Sequence, residues 1–316
     1  METLRPAAPT VSVVMPVFQA AGFLAEAIES ILAQTHPDLE LIAVDDGSTD
    51  ASGEILERYA KRDPRLIVAR KCHEGVIRAR NAGLSLARAP FVACMDADDV
   101  SLPDRLAMQV SALTARPDVV CIGGGFDVID ASNRLLNRVL PPCEHAAILA
   151  MALLGHSPIC GSNAMFRTRE VLAIGGYDEA ADFAEDLDLW LRLGETGRLA
   201  NLPDVISRVR FHDASQSATE QERQLDAIQN VVNRARQLRG IEHRIERPPP
   251  WRPLATRRSR HAFAVGWAFS AWRTGERRTA LVYALRALRI DPLGAPLWKG
   301  LVRSFTRRMT RSTCPR

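Results

Sequence analysis

Short apolar runs of strand length alternate with segments of helical periodicity through the first third of the chain. The runs are rich in β-branched residues, and the segments between them repeat apolar residues at intervals of three and four. The predicted strands are residues 11–17, 39–44, 66–69 and 91–95, and the predicted helices are residues 22–34, 49–62, 75–87 and 103–115. Such alternation forms a parallel sheet with helices on both faces, and ligands bind outside the carboxyl ends of its strands. The pattern therefore predicts an α/β fold with its site at that edge.

Two of the predicted strands end in aspartates. Asp45 and Asp46 follow the second strand, and Asp96, Asp98 and Asp99 follow the fourth. Carboxylates this close repel one another, so they need water, a cation or a basic partner. Mg²⁺ or Mn²⁺ held by one or two of them would keep positions open for substrate phosphates. A solvated acidic turn before the next helix explains the same residues, and this stretch alone does not decide between the two.

The rest of the chain predicts further strands and then a helical end. We interpret the glycines at 123–125 as a turn. Further strands are predicted at residues 119–122, within 126–140, and at 161–166 and 205–211, with helices at 144–154, 168–174 and 182–193. The last part of the chain predicts short helices at residues 262–272, 279–290 and 295–305. The expected domains are residues 1–217 and a basic helical region, residues 218–316.

Charge divides the chain into an acidic body and a basic end. From Arg234 onward there are 20 Lys and Arg against four Asp and Glu, a net charge of +16, whereas the preceding residues carry 21 against 33, a net charge of −12. A basic segment can bind nucleic acid, an anionic membrane surface or an acidic partner, and charge alone does not choose among them.

Composition and motif spacing exclude several classes of protein. No apolar run approaches the roughly 20 residues of a membrane-spanning helix, and the first residues lack the apolar core of a signal peptide, so we expect a cytoplasmic protein. The six cysteines are scattered without a CxxC pair, which predicts neither a disulfide framework nor a zinc site. No GxGxxG follows the first strand, which disfavours a dinucleotide oxidoreductase.

Four motifs follow one another in a specific order: VVMPVFQ, VDDGSTD, MDADD and AEDLDLWLRL. In this order they resemble the family 2 glycosyltransferases with the GT-A fold, over residues 11–217. The resemblance implies a mostly parallel, Rossmann-like sheet flanked by helices, followed here by a C-terminal helical extension. It also implies an enzyme that moves a sugar from a nucleotide-diphosphate sugar to an acceptor hydroxyl with inversion at the anomeric carbon.

The same resemblance implies roles for individual residues. Asp186 matches the general base of the family, and Glu185 would position it or the acceptor. Asp98 would coordinate Mn²⁺ or Mg²⁺ directly with support from Asp99, and His212 matches a histidine that approaches the metal or the diphosphate. Contacts with the nucleotide-sugar are implied for a larger set: Pro16, Phe18, Asp45, Asp46, Arg80, Asn81, Asp96 and Arg192.

Simpler explanations of several of these residues stay open at this point. Asp45 and Asp46 also suit a cap of the turn that follows them. Glu185 and Asp186 also suit the N-terminal end of a helix, where the dipole stabilises acidic residues. Arg80 is also explained as a plain surface charge.

The chain departs from the usual family pattern at two places. Phe18-Gln19 stands where Tyr-Asn is common, and His73-Glu74-Gly75 stands where Asn-x-Gly is usual. Both departures concern the donor rather than the reaction type, so they leave the identity of the donor open.

From these features we expect a metal-dependent transferase that uses a UDP-sugar and acts on a cell-surface or lipid-linked glycan. The basic end would hold the enzyme against the anionic inner face of a membrane. Nucleic acid is not an expected partner. The alternative is a non-catalytic nucleotide-binding adaptor recruited through its basic end, which leaves the Glu185-Asp186 pair unexplained.

Overall fold

The computed structural model describes residues 8–212, 220–243, 245–246 and 256–292. These residues form two compact units. The first unit comprises residues 8–126, 139–210, 222–243 and 245–246, and the second comprises residues 127–138, 211–212, 220–221 and 256–292. Both units are discontinuous in sequence, because the chain leaves the first unit three times and returns to it twice.

The strand and helix alternation predicted for the first third of the chain is confirmed. The strands are β1 (Val11–Val17), β2 (Leu39–Asp45), β3 (Leu66–Arg70) and β4 (Phe91–Cys94), and the helices are α1 (Leu24–Leu32), α2 (Ser52–Ala60) and α3 (Val76–Leu86). Every residue of β2 and β4 is buried, as expected for strands covered on both faces. Removal of these apolar side chains from water is the main force that holds the layers together.

The sheet has nine strands, of which only one half is parallel. The later strands are β5 (Val100–Ser101), β6 (Val119–Asp130), β7 (Leu135–Val139), β8 (Met165–Arg167) and β9 (Arg198–Phe211). Their order is β3-β2-β1-β4-β8-β6-β9-β5, with β7 paired to β6. Strands β1 to β4 pair in parallel, whereas β8 is antiparallel to β4 and β6, and β5 is antiparallel to β9. The α/β class is confirmed, and the sheet is mixed because the regular strand and helix alternation ends after β4.

The remaining helices of the first unit cover the second half of this sheet or pack beside it. They are α4 (Arg105–Ala115), α5 (His145–Ala152), α6 (Thr168–Ala173), α7 (Glu185–Thr196) and α8 (Gln221–Leu238). Leu187 and Leu191 of α7 share one apolar cluster with Val231 and Val232 of α8. This packing places α8 in the first unit, although α8 follows residue 217, where we expected the first domain to end.

The three consecutive glycines lie in a strand, and our prediction of a turn is wrong. Gly123, Gly124 and Gly125 belong to β6. A Cβ on Gly123 would lie 2.5 Å from Oδ1 of Asn201, and a Cβ on Gly125 would lie 3.0 Å from the carbonyl oxygen of Asp204. The glycines therefore admit neighbouring segments that pack directly against the strand.

The second unit is built from two helices and the hairpin segment 127–138. Its helices are α9 (Arg257–Arg273) and α10 (Arg277–Ile290), which confirms two of the three short helices predicted for the basic end. Hydrogen bonds tie them to the hairpin, from Tyr283 to Asp130 at 3.2 Å and from Ser270 to Asn137 at 2.7 Å. The third predicted helix, residues 295–305, lies outside the described residues. Among the described helices, none combines the length and the apolar character that a membrane crossing requires.

Candidate active site

Asp45 and Asp46 form one acidic tip, at the end of β2, and Asp96, Asp98 and Asp99 form a second, after β4. Both tips lie at the same edge of the sheet because β2 and β4 flank β1. Val17 at the end of β1 lies opposite Asp45. On the other side of β1, the amide of Met95 donates to the carbonyl oxygen of Val14 at 3.0 Å. The aspartates at the ends of both strands therefore lie at the carboxyl edge of the sheet, where α/β sheets bind ligands.

A buried arginine joins the acidic tip after β4 to the acidic start of α7. The Arg80 side chain is 7 % exposed, and its Nη1 donates to Glu185 at 2.9 Å and to Asp186 at 3.0 Å. Its Nη2 donates to Asp96 at 3.0 Å, and its guanidinium lies 5.4 Å from the ring centroid of Tyr177. Arg80 is therefore not a surface charge. The nucleotide contact implied by the resemblance stays a prediction.

Three carboxylates share one guanidinium in this cluster, so the cluster has excess negative charge. Burial raises the pKa of Asp186 to about 7; Arg80 opposes the rise, and Glu185 and Asp96 add to it. Burial disfavours the charge on Arg80, but Asp186 and Asp96 outweigh this and hold the pKa of Arg80 well above its ordinary value. Arg80 thus stays charged while Asp186 exchanges a proton near neutral pH.

A glycine provides the space that the Asp186 carboxylate occupies. Gly161 begins the 3₁₀ turn Gly161–Asn163, which precedes β8 and makes the strand predicted at 161–166 shorter than expected. A Cβ at this position would overlap Oδ2 of Asp186 and lie 2.7 Å from its Cγ. A larger side chain here must displace the carboxylate or the turn. Sequence reasoning missed Gly161 because no local pattern reports a contact so far along the chain.

Arg210 of β9 holds the acidic tip after β4. Its amide donates to Oδ1 of Asp99 at 2.7 Å, its Nε donates to the carbonyl oxygen of Asp98 at 2.8 Å, and its guanidinium pairs with Glu26 at 2.8 Å. Asp99 is buried, and burial followed by the charges of Asp98 and Asp96 raises its pKa well above the ordinary value. The sequence did not indicate Arg210, since no local pattern reports a contact with a residue 111 positions earlier in the chain.

The acidic tip after β4 has the oxygen donors that a hard divalent cation prefers. The crowding that raises the pKa of Asp99 is the electrostatic cost that such a cation would relieve, so Asp98 and Asp99 fit a metal role. Over the part of the chain that the structure describes, no three His, Cys, Asp or Glu side chains are already grouped around a metal position. His212 belongs to the second unit, and its metal role stays a prediction.

The two aspartates at the end of β2 have different partners. Oδ1 of Asp45 accepts from the amide of Ser48 at 3.0 Å, so Asp45 caps the turn after its strand. Asp46 accepts from the amides of Glu74 at 2.9 Å and Gly75 at 2.8 Å, immediately before α3. Asp46 therefore ties the tip of β2 to the start of α3, and both aspartates keep their implied donor contacts as predictions.

The other implied donor contacts separate into two groups. Pro16 lies in β1 and Phe18 follows it with 46 % of its surface exposed, which places both at the carboxyl edge. Asn81 instead exchanges hydrogen bonds with the backbone of Tyr177, at 2.8 and 2.9 Å. Arg192 pairs at 2.6 Å with an aspartate one turn earlier on α7, and its Nη1 donates to the carbonyl oxygen of Ile174 at 3.2 Å. Asn81 and Arg192 brace the segment that leads into α7, and their donor contacts stay predictions.

Several known proteins that resemble this chain are described as glycosyltransferases. The family described as "Glycosyl transferase family 2" matches residues 12–172. EpsE of Bacillus subtilis (strain 168), provisionally described as a glycosyltransferase, is 34 % identical over 207 residues, which cover 64 % of this chain and 73 % of EpsE. An uncharacterized glycosyltransferase of Haemophilus influenzae is 29 % identical over 228 residues, 68 % of this chain and 70 % of that protein.

Two solved structures share the fold. The mannosyltransferase PcManGT from Pyrobaculum calidifontis, in complex with GDP-Man and Mn²⁺, has a TM-score of 0.55 at 20 % identity and covers 95 % of this chain and 81 % of its own. S. aureus TarS 1–349, in complex with UDP-GlcNAc, has a TM-score of 0.55 at 15 % identity and covers 89 % of this chain and 91 % of its own. These likenesses show the GT-A fold alone. The family match over half of the sequence and the identity with EpsE show that the chain belongs to glycosyltransferase family 2.

Proposed function

We propose that the chain transfers a sugar from a nucleotide-diphosphate sugar to an acceptor hydroxyl, with inversion at the anomeric carbon. The observation that carries the proposal is the Asp186 carboxylate, which Arg80 contacts at 3.0 Å and whose pKa burial raises to about 7. A carboxylate with the ordinary pKa of about 4 is a poor base toward a hydroxyl. A pKa close to the working pH suits proton transfer much better.

A single displacement accounts for the chemistry. The acceptor oxygen attacks the anomeric carbon while its proton passes to a carboxylate oxygen of Asp186. The bond from the anomeric carbon to the diphosphate oxygen breaks, and the nucleoside diphosphate leaves with the electron pair. Attack opposite the leaving group inverts the anomeric carbon. Arg80 keeps its charge and holds the base, and Glu185 shares the same guanidinium and keeps the cluster in place.

The donor would lie along the carboxyl edge of the sheet. Asp98 and Asp99 would hold Mn²⁺ or Mg²⁺, which supplies positive charge to the diphosphate leaving group. Asp46 would offer the nucleobase a carboxylate, and Phe18 would offer it an exposed ring. Asp96, which accepts from Arg80 at 3.0 Å, would contact the sugar. TarS binds UDP-GlcNAc, which supports a UDP-sugar as the donor to be tested. PcManGT binds GDP-Man, so GDP-sugars belong in the same test.

A donor-hydrolysis screen tests this proposal. We expect slow release of nucleoside diphosphate from one UDP-sugar in Mn²⁺, loss of this release in chelator, and recovery when Mn²⁺ is restored. Asp98→Asn should raise the Mn²⁺ concentration for half-maximal turnover about tenfold, because one charged ligand is lost. Asp118→Asn, at an aspartate whose side chain is 61 % exposed, is the matched control. Binding of UDP without turnover of any donor would favour the non-catalytic adaptor instead.

Gly161→Ala tests whether the position of the base matters. The new Cβ would overlap the Asp186 carboxylate, so we expect kcat to fall roughly 100-fold, as for a displacement of about 1 Å in an active site. Gly22→Ala is the control, since a Cβ there meets no atom within 4 Å. Equal kcat values for the two variants, measured as initial rates of donor hydrolysis, would contradict the assigned position of the base.

The basic second unit supports a location against an anionic membrane, with a glycan or lipid-linked acceptor nearby. Between Arg257 and Ile290 there are eight arginines and one acidic residue, Glu276. Leu281 and Leu285, one turn apart on α10, are 61 % and 47 % exposed. Exposed leucines among arginines are typical of helices that lie in the membrane interface.

Vesicle binding tests this location. Leu281→Ser combined with Leu285→Ser should lower binding to anionic vesicles about tenfold, because the leucines no longer enter the acyl boundary. Sedimentation with anionic and with zwitterionic vesicles measures the effect. The control combines Leu154→Ser with Leu172→Ser, at leucines of the first unit that are 58 % and 50 % exposed. Absence of binding to anionic vesicles would remove the membrane from the proposal, and equal binding to both vesicle types would remove the role of the basic charge.

A further inference from the structure

Two rings meet where the chain departs from the usual family pattern. Phe18, after β1, and His73, before α3, stack with ring centroids 4.0 Å apart and an interplanar angle of 16°. The pair is largely in contact with solvent, since Phe18 is 46 % exposed and the His73 side chain is 59 % exposed. Burial of apolar surface therefore contributes little to keeping the rings together, and either ring can leave at small cost.

The His73 ring also holds the carboxylate of Asp46. Its Nδ1 lies 3.0 Å from Oδ2 of Asp46, and because a carboxylate only accepts, Nδ1 is the donor. The other two donors to this carboxylate are the backbone amides of Glu74 and Gly75, which are held by the loop. Asp46 is 2 % exposed. A ligand donor therefore reaches Oδ2 of Asp46 only in place of the His73 ring.

Stacking leads to the same conclusion. A third planar ring between Phe18 and His73 would need about twice their 4.0 Å separation. A base that stacks on this face of Phe18 and bonds to Asp46 must therefore displace His73.

We infer that the His73 imidazole occupies the site of the donor nucleobase in the absence of donor. The imidazole stacks on Phe18 and donates to Oδ2 of Asp46, and the nucleobase takes over both contacts when it binds. This rests on the proposed use of a nucleotide-sugar. The exchange selects among nucleobases, because the incoming ring must donate an N–H to Oδ2 of Asp46 in place of the Nδ1–H of His73. Uracil and guanine carry a ring N–H beside a carbonyl. Cytosine presents an unprotonated ring nitrogen there, so the buried carboxylate loses one of its three donors and keeps only the two backbone amides.

Calorimetry with UDP, GDP and CDP in Mn²⁺ tests the exchange. We expect the wild type to bind UDP or GDP about tenfold more tightly than CDP, since with CDP the buried carboxylate loses one of its three hydrogen-bond donors. His73→Ala should bind UDP roughly three- to tenfold more tightly, because no ring has to be displaced first. Phe18→Ala should weaken UDP binding about tenfold through loss of the stack.

A signal from the histidine itself gives a second readout. The His73 ring protons, identified by their absence in His73→Ala, lie over the Phe18 ring and should move to ordinary exposed shifts when UDP is added to the wild type. Weaker UDP binding by His73→Ala, unchanged ring-proton shifts, or equal affinity for UDP, GDP and CDP would each overturn the inference while nucleotide binding stands. No binding of any nucleotide by any of the three proteins would instead overturn the proposed function.

Discussion

Asp186→Asn is expected to abolish sugar transfer without unfolding the protein. An amide cannot take the proton of the acceptor hydroxyl, so kcat should fall about 10³-fold, within the range of general-base catalysis. This corresponds to a loss of about 4 kcal/mol of transition-state stabilisation. The Kd for UDP should stay within about twofold, because nucleotide binding uses no contact of Asp186. Initial rates of donor hydrolysis and calorimetry with UDP measure the two quantities.

The pH dependence of the Tm of the same variant tests separately whether Asp186 carries the raised pKa. Burial holds the pKa of Asp186 near 7, so between about pH 4 and pH 7 the folded protein keeps a proton that the unfolded chain has released. The contribution of Asp186 to stability therefore falls as the pH rises through this interval. Asn carries no proton to lose, so the Tm of the variant relative to wild type should increase from pH 5 to pH 8. A variant that keeps wild-type kcat would contradict the role of Asp186 as the base.

The sequence was sufficient to predict features that short-range periodicity encodes. The apolar run before Asp96 and the one before Asp45 each have strand length, and parallel pairing brings the carboxyl ends of neighbouring strands to one edge. Asp96 and Asp45 could therefore be placed together from local pattern and one rule of sheet topology. The acidic start of α7 was predicted for the same reason, since helix periodicity and acidic first turns are local signals.

Contacts between distant segments could not be predicted in this way. Arg80 and Glu185 are 105 residues apart, and no periodicity reports that α3 turns this arginine toward α7. Gly161 gave no signal for a related reason, because its function is to leave space that another segment fills. The glycines at 123–125 misled us since their composition is that of a turn, whereas packing by Asn201 and Asp204 is what requires them.

Arg80→Met is expected to move the acidic limb of the kcat/KM profile to higher pH. The Arg80 charge lowers the pKa of Asp186 against burial and the charges of Glu185 and Asp96. Without that charge the pKa rises above 7, so less of the base is ionised at pH 7 and kcat/KM should fall roughly tenfold or more, with partial recovery at higher pH. Loss of one partner from a buried ion pair costs about 3 kcal/mol. The fall in Tm should be smaller at pH 5, where Asp186, with its pKa of about 7, is protonated and needs no cationic partner.

Arg78→Met is the matched control, because it makes the same change two residues earlier on α3. The Arg78 side chain is 50 % exposed and pairs with Glu74 and Glu179, and solvent screens such pairs, so neither the pH profile nor the Tm should move measurably. The nucleotide contact that the family resemblance implies for Arg80 has a different signature. It predicts that Arg80→Met raises the Kd for UDP about tenfold or more and leaves the acidic limb at the wild-type pH. That result would assign Arg80 to the donor and remove it from the positioning of Asp186.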